Sequence, residues 1–370
     1  MRLSILFYGI EIQFTGLFPG GFLMIFRQLF DDVSSTYTYL LADEDRKEAL
    51  LIDPVFSQSK RDLALVEELG LTLALVADTH AHADHITAAW LLKQKTGCKI
   101  ASAKAIGAEH VDVSLDDGQE FGVPGVTLRA ISTPGHTDGC MSYVLSDQSM
   151  VFTGDALLIR GCGRSDFQQG SAHKLFQSIT KKLFVLPDVC RVYPAHDYHG
   201  RTQSSIGEEK AFNARVGGGA NETDFVEYMK AMKLPHPKKI DEAVPANLRS
   251  GCPEDGKLPA EPDWADIRLT YAGVPEIGEE WLEHHLDEVT VLDVRLDEER
   301  KDFPLTEALV DLQIPLDELR SRVAEVPKNK PVVALCRSGR RSAMAVNILK
   351  ENGFEKVASL SRGLMEISRN

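Results

Sequence analysis

The chain has 370 residues, 43% of them apolar and 26% charged, proportions of an ordinary globular protein with room for two domains. Its formal charge of −14 argues against nucleic acid or an anionic membrane surface as the main partner. No apolar run reaches the ~18–20 residues that a membrane helix requires. Six cysteines (Cys98, Cys140, Cys162, Cys190, Cys252 and Cys336) are scattered without a CxxC pair, which favours reduced thiols over a disulfide framework or a zinc ribbon.

Residues 1–23 are largely apolar, with one arginine and one glutamate as their only charges, a composition that faintly suggests a signal peptide. Glu11 interrupts the run, however, and no small-x-small cleavage site follows. The segment reads better as an upstream extension before Met24, which leaves the protein in the cytoplasm. Strands are predicted over 25–30, 37–42 and 48–53, the last closed by Pro54, and then a helix over 60–69 ended by Gly70. An apolar strand over 71–77 stops at Asp78-Thr79, and His80, His82, Asp84 and His85 follow within six residues. A strand end feeding a short loop can hold several imidazoles and a carboxylate around one point, the arrangement a metal ion requires. A helix over 86–95 and strands over 99–102, 125–132, 141–145 and 149–153 come next. Three further potential ligands stand at strand ends just after a proline or glycine: His136 in TPGHTDG, Asp155 in VFTGDAL and His196 in CRVYPAHDYHG. Strands with interspersed helices and chemistry at the strand ends suggest an α/β sandwich.

The motifs THAHADH, PGHT, TGD and PAHD resemble those of the metallo-β-lactamase superfamily, from about residue 24 to about 250. The resemblance implies an αββα sandwich with two ligand sets, His80, His82 and His136 in one, Asp84, His85 and His196 in the other, and Asp155 between. Such a set permits a dinuclear zinc thioester hydrolase of the glyoxalase II type. The stretches Asp155 to Gly170 and Tyr193 to Gly200 look instead like those of persulfide dioxygenases. That branch implies one Fe(II) per chain held by His80, His136 and Asp155, leaving positions on an octahedral iron for a persulfide and O2. By the same resemblance His82, Asp84, His85 and His196 orient ligands or bound water, while Arg164 and Tyr198 hold a glutathione persulfide. Arg164 has a plainer reading as a structural salt bridge. Cys162 reads as a small core residue, with redox sensitivity as the alternative.

Between 217 and 266, glycines and six prolines mark loop-rich sequence with only a short helix over 222–233, and 251–266 is the expected linker. From about 267 to 370 the pattern turns βαβα. A helix is expected over 276–283, a strand over 289–294, a helix over 316–323 and a strand over 331–335. That last strand runs into Cys336-Arg337-Ser338-Gly339-Arg340-Arg341-Ser342, with a helix over 343–350 behind it. The arrangement puts Cys336 in a ring of backbone N–H groups at a helix N-terminus beside three arginines, which favours the thiolate. The segment, with Leu292-Asp293-Val294-Arg295 upstream, resembles a single rhodanese domain. The resemblance implies a persulfide carried on Cys336, with sulfite or thiosulfate held by Arg337, Arg340 and Arg341. A rhodanese-fold phosphatase would need a longer loop with arginine six residues after the cysteine, and Ser342 stands there.

The two halves read as one fusion. Glutathione persulfide would be oxidised with O2 and water to sulfite and glutathione at the iron. Cys336 would interconvert thiosulfate and glutathione with sulfite and glutathione persulfide. The resemblance leaves room for a homodimer. The rival readings are a glyoxalase II-like zinc thioester hydrolase with a rhodanese appendage, and a non-catalytic persulfide carrier or sensor.

Overall fold

The structure, a computed structural model, describes residues 24–232, 235, 237–306 and 309–364. The segment 1–23, read above as an extension, lies outside them. The described chain divides into two compact units, one running to Ser59 and again from Leu69 to Leu258, the other made of Lys60–Glu68 and the residues from Pro259 onward.

The first unit holds two six-stranded sheets. One is formed by β1 (Met24–Asp31), β2 (Thr36–Asp43), β3 (Glu48–Ile52), β4 (Thr72–Ala77), β5 (Lys99–Ala103) and β6 (Val113–Leu115), adjacent in that order. It begins as an antiparallel meander and is parallel from β3 onward. The other is formed by β7 (Glu120–Val123), β8 (Val126–Ser132), β9 (Met141–Leu145), β10 (Met150–Gly154), β11 (Arg191–Pro194) and β12 (Ser204–Ser205), with β10 and β11 its one parallel pair. The inner faces meet in one core, where Tyr39, Leu41 and Ile52 oppose Leu128, Tyr143 and Phe152. Every residue of β2 is buried. Strands covered on both faces read as continuous apolar runs rather than as alternation, which is the pattern seen in the sequence.

Helices cover the outer faces. The first unit carries α1 only by its first residue (Ser59–Glu68), and α2 (Ala89–Thr96) lies on β4 and β5. Over the second sheet, Leu175, Phe176, Ile206, Phe225 and Met229 of α3 (Ala172–Ser178), α4 (Ile206–Phe212) and α5 (Glu222–Ala231) cover Val144, Val151 and Val192. Local chemistry sets the helix ends. Ser171 and Asn221 accept from the backbone N–H groups of Lys174 and Asp224, and α2 stops at Gly97, φ +75°.

Two expectations need correction here. The helix expected from Ile86 begins at Ala89, because the preceding backbone is spent elsewhere: Ile86 O accepts from Phe56 N at 2.8 Å and Ala88 N donates to Pro54 O at 2.8 Å. The join is less loop-like than expected, since α6 (Ile240–Asn247) is helical with Pro245 inside it. Pro245 is exposed while Ala243, Ala246 and Asn247 are buried, so the ring faces solvent and the missing N–H falls on the outer side.

The second unit is one sheet in the order β13 (Arg268–Leu269), β14 (Pro275–Ile277), β18 (Val357–Leu360), β17 (Val332–Leu335), β15 (Thr290–Asp293) and β16 (Leu312–Gln313), parallel except for the β13–β14 pair. Alternate residues of β17 enter opposite cores. Val332 and Ala334 pack with Leu319 of α9 (Leu316–Arg322) and Val346 and Leu349 of α10 (Arg340–Glu351). Val333 and Leu335 pack with Leu282 of α7 (Glu279–His284). The helix expected from Glu276 thus starts at Glu279. Glu276 and Ile277 pair with Ser359 and Leu360 as a strand, and Gly278 stands at the N-cap of the helix.

Candidate functional site

In the first unit the residues of interest sit at the carboxyl ends of strands: Asp53 after β3, the 78–87 loop after β4, His136 after β8, Asp155 after β10 and His196 after β11. The structure brings His80, His136 and Asp155 together, each offering a ligand atom within 4.8 Å of the others, and all three are buried. Their partners fix the tautomers. The Arg164 carbonyl can only accept, so His136 Nδ1, 2.7 Å away, donates to it. Thr79 Oγ1 donates to Asp53 Oδ2 at 2.8 Å and therefore accepts from His80 Nδ1 at 3.0 Å. With the proton on Nδ1, each ring in its neutral form turns a bare Nε2 to the cluster, the arrangement a metal-ligating histidine needs. Two glycines permit the close approach. A Cβ at Gly154, φ +52°, would meet Thr79 Oγ1 at 2.8 Å, and one at Gly163 would meet His136 Nδ1 at 2.8 Å.

A second cluster, His82, Asp84, His85 and His196, adjoins the first with its own ligand atoms within 4.8 Å. His196 lies between two carboxylates, Nδ1 2.7 Å from Asp155 Oδ1 and Nε2 2.9 Å from Asp84 Oδ2. Burial opposes its charge, but Asp155 and Asp84 outweigh burial and raise its pKa well above the ordinary imidazole value. Burial likewise pushes the Asp155 carboxyl up, and His196 first among its neighbours outweighs this to hold it well below the usual carboxylate range. His80 and His82 are driven far below the ordinary imidazole value by burial and then by the neighbouring rings, so both are neutral. His82 Nδ1 and His85 Nε2 are buried without a hydrogen-bond partner among the described residues. His82 Nε2 lies 3.1 Å from Asp53 Oδ1 but out of hydrogen-bond alignment. Buried polar atoms in this state call for an ion or an ordered water. The donor chemistry of the first cluster, two imidazoles and a carboxylate, fits a divalent metal.

The metal cluster opens into a cleft of about 750 Å³ whose lining includes Arg164, Phe167, Tyr198 and Arg215. Arg164 is already engaged. Its Nε and Nη2 each lie 2.6 Å from an Asp166 carboxylate oxygen, its Nη1 donates to Pro235 O at 2.6 Å, and the guanidinium covers the Phe167 ring. Tyr198 is 67% exposed, with its ring stacked on His196, planes 4° apart. Cys162 belongs to the outer core of the second sheet, where burial pushes its thiol up to about 11.

Several residues of the site were not singled out from the sequence. Thr36 Oγ1 lies 3.1–3.3 Å from Asp84, His85 and His196. Asp53 and Thr79 orient His80, and Asn247 holds the backbone of the ligand loop. Asp53-Pro54 closing an apolar strand was a usable signal for one of these. Thr36 and Asn247 carry none in a single sequence.

In the second unit Cys336 follows β17 and is buried. Burial raises its thiol pKa. Contact with the Ser342 hydroxyl at 3.5 Å and hydrogen bonds from the Ser342, Ser338 and Arg341 amides outweigh burial and leave it below the ordinary cysteine value. Arg341 forms a two-point pair with Glu299, Nη1 to Oε2 at 2.5 Å and Nη2 to Oε1 at 2.6 Å, and this pair brings Glu299 down to about 2. Arg337 and Arg340 are exposed and make no ion pair among the described residues. Beneath the loop, Arg295 and Asp293 form a buried ion pair, Nη2 to Oδ2 at 2.7 Å, and Arg295 Nη1 donates to Phe303 O.

Two packed sheets flanked by helices, with a histidine–aspartate cluster at the strand ends, define a metallo-β-lactamase fold, and the metallo-beta-lactamase superfamily profile matches residues 31–196. A rhodanese-like domain profile matches residues 279–370. Persulfide dioxygenase ETHE1, mitochondrial, from Bos taurus is 48% identical over 240 residues, 65% of this chain and 92% of that protein. The Homo sapiens protein of that name is 48% identical over 62% of this chain and 89% of its own. The crystal structure of ETHE1 from Myxococcus xanthus is 52% identical, covers 61% of this chain and 99% of its own, and superposes with a TM-score of 0.60. A metallo-beta-lactamase from Staphylococcus aureus subsp. aureus COL, 21% identical, covers 92% of this chain at a TM-score of 0.58, a likeness of fold. The chain belongs to the persulfide dioxygenase family of the metallo-β-lactamase superfamily and carries a rhodanese-like domain.

Proposed function

We propose that the chain is a non-haem Fe(II) dioxygenase fused to a sulfurtransferase, with modules over 24–250 and 267–370 joined by 251–266. The observation that carries the reading is the His80–His136–Asp155 cluster, both Nδ1 protons spent on the protein, in a chain 48% identical to persulfide dioxygenases. One Fe(II) per chain would be held by His80, His136 and Asp155. The chemistry that bound iron supplies is the activation of O2 toward a sulfur atom. The protein's part is to fix the Nδ1 proton of both imidazoles, keep His80 neutral and hold the carboxylate ionised, with the Phe167 and Tyr198 rings lining the approach. The overall reaction balances as glutathione persulfide plus O2 plus water giving glutathione, sulfite and two protons. Arg164 and Tyr198 line the route. With Arg164 tied to Asp166, its role toward substrate carboxylates is exercised jointly with that pair.

At the second site the Cys336 thiolate takes the outer sulfur of thiosulfate, releasing sulfite, and the Cys336 persulfide passes that sulfur to glutathione, giving glutathione persulfide. Exposed Arg337 and Arg340 meet the anion, and Arg341, paired with Glu299, braces the loop. Six free cysteines fit a reducing, cytoplasmic setting, and a homodimer is compatible with the reading. The zinc hydrolase alternative draws support from the unpartnered nitrogens of His82 and His85. Against it stand the long Asp155–Gly170 and Tyr193–Gly200 stretches, which resemble persulfide dioxygenases, and the 48% identity to proteins of that name. Anaerobic reconstitution with Fe(II) followed by oxygen-electrode assay should give O2 uptake that depends on glutathione persulfide. An iron-loaded chain that consumes no O2 with this substrate would refute the dioxygenase.

A further inference from the structure

Residues 247–251 close the first unit against the loop that carries the second cluster. Asn247 is 5% exposed, and its carboxamide is spent on that loop: Nδ2 donates to the carbonyls of His82 and His85, each at 2.9 Å, and Oδ1 accepts from the Thr87 N–H at 2.9 Å. Both donors of the side chain are thereby used. The anchor itself is fixed, since Ser250 Oγ donates to Glu109 O at 2.5 Å and Trp90 N donates to Ser250 O at 2.8 Å. At the end of the loop, Thr87 Oγ1 donates to Asp78 Oδ1 at 2.8 Å. What Asn247 holds is therefore the backbone on either side of Asp84. Asp84 in turn contacts His196, and His196 contacts Asp155.

We infer that Asn247 is a positioning residue for the metal centre, fixing the His82–Thr87 backbone so that Asp84 and His196 hold the Asp155 carboxylate in the His80–His136–Asp155 cluster. The inference rests on that cluster being the metal site proposed above. A buried amide bonding three backbone groups of a ligand loop from a helix ~160 residues away acts as an outer partner, the kind whose loss costs roughly 10–100-fold in metal affinity.

The test is Fe(II) affinity of the full chain, measured anaerobically by chelator competition, for the wild type, Asn247→Ala, Asn247→Asp and the control Asn221→Ala. The Asp variant keeps the size and the acceptor for Thr87 but replaces the two N–H donors with a carboxylate oxygen that faces the His82 and His85 carbonyls. The control removes the cap of α5, a structural hydrogen bond remote from the loop. Both Asn247 variants should bind Fe(II) roughly 10–100-fold more weakly, with a changed electron paramagnetic resonance signal of the nitric oxide adduct, while the control binds as wild type. Asn247→Ser, which admits water to the three backbone groups, is read the same way if the larger changes prevent folding. Folded Asn247 variants with wild-type affinity and an unchanged signal would overturn this inference alone. A wild-type chain without affinity for Fe(II) would overturn it together with the reading beneath it.

Discussion

His80 and His136 each spend one ring nitrogen on an oxygen that fixes the proton, Thr79 Oγ1 in one case and the Arg164 carbonyl in the other. Replacing Thr79 by Val removes the acceptor for His80 and leaves Asp53 one partner short. The expected result is roughly 10–100-fold weaker metal binding, measured by metal content after dialysis. At the other site, the Cys336 thiol pKa lies below the ordinary cysteine value, so its thiolate persists to lower pH than that of a free cysteine, and its reactivity is lost as pH falls through the pKa. The rate of alkylation at Cys336 against pH should have its midpoint below the ~8.5 of a free cysteine, and Ser342→Ala should move the midpoint upward. A midpoint unmoved by the substitution would remove Ser342 from the account. Arg164 shows what sequence reading can and cannot reach at this scale. Arg-x-Asp spacing made a salt bridge as natural a reading as substrate binding, and the chain does place Arg164 in the cleft. Only the folded geometry shows that its carbonyl, not its guanidinium, touches His136.

At the scale of elements, the site is built by strands that stop on time. Gly154 ends β10 at φ +52° with Thr79 against it, so Gly154→Ala combines an unfavourable backbone conformation with a contact that must yield. A loss of about 1–3 kcal/mol is expected, together with loss of metal, read by urea unfolding and metal content. In the second unit, Glu299 of α8 (Asp297–Asp302) is tied to Arg341 of α10. Its pKa falls from the ordinary 4.5 to about 2, so the stabilisation is present above about 4.5 and is lost as pH falls toward 2. Glu299→Gln should therefore destabilise the unit at pH 7 and differ less from wild type at pH 3, followed by Trp264 and Trp281 fluorescence. The strands carrying ligands were legible because β4, β10 and β11 are apolar runs and β8 alternates, three of the four ending at or just before a Pro or Gly. The helix at 240–247 was not, because Pro245 and its neighbouring prolines look like loop and the exposed placement that tolerates the ring is a tertiary fact. Asn247 went unseen with it. The strand at 275–277 was hidden for a related reason, since its length is set by pairing with β18 and not by any local period.

At the scale of the whole molecule, the first unit has two sheets and the second has one, each unit with its own core, which is the physical basis for treating the two chemistries as separable. Cys336→Ser should abolish sulfur transfer from thiosulfate and leave persulfide-dependent O2 uptake intact. Loss of both would show that the modules do not act independently. In the function proposed above, the two chemistries share intermediates, since a sulfurtransferase would form the persulfide that the oxygenase would consume. The central claim is nonetheless a count. His80, His136 and Asp155 offer a two-histidine, one-carboxylate set, while in the neighbouring cluster His196 lies between the Asp155 and Asp84 carboxylates. The most direct test is anaerobic titration of the metal-free chain with Fe(II), followed by metal analysis of the loaded protein. One iron per chain is the predicted result. Saturation at two metals per chain, with zinc retained in preference to iron, would contradict it.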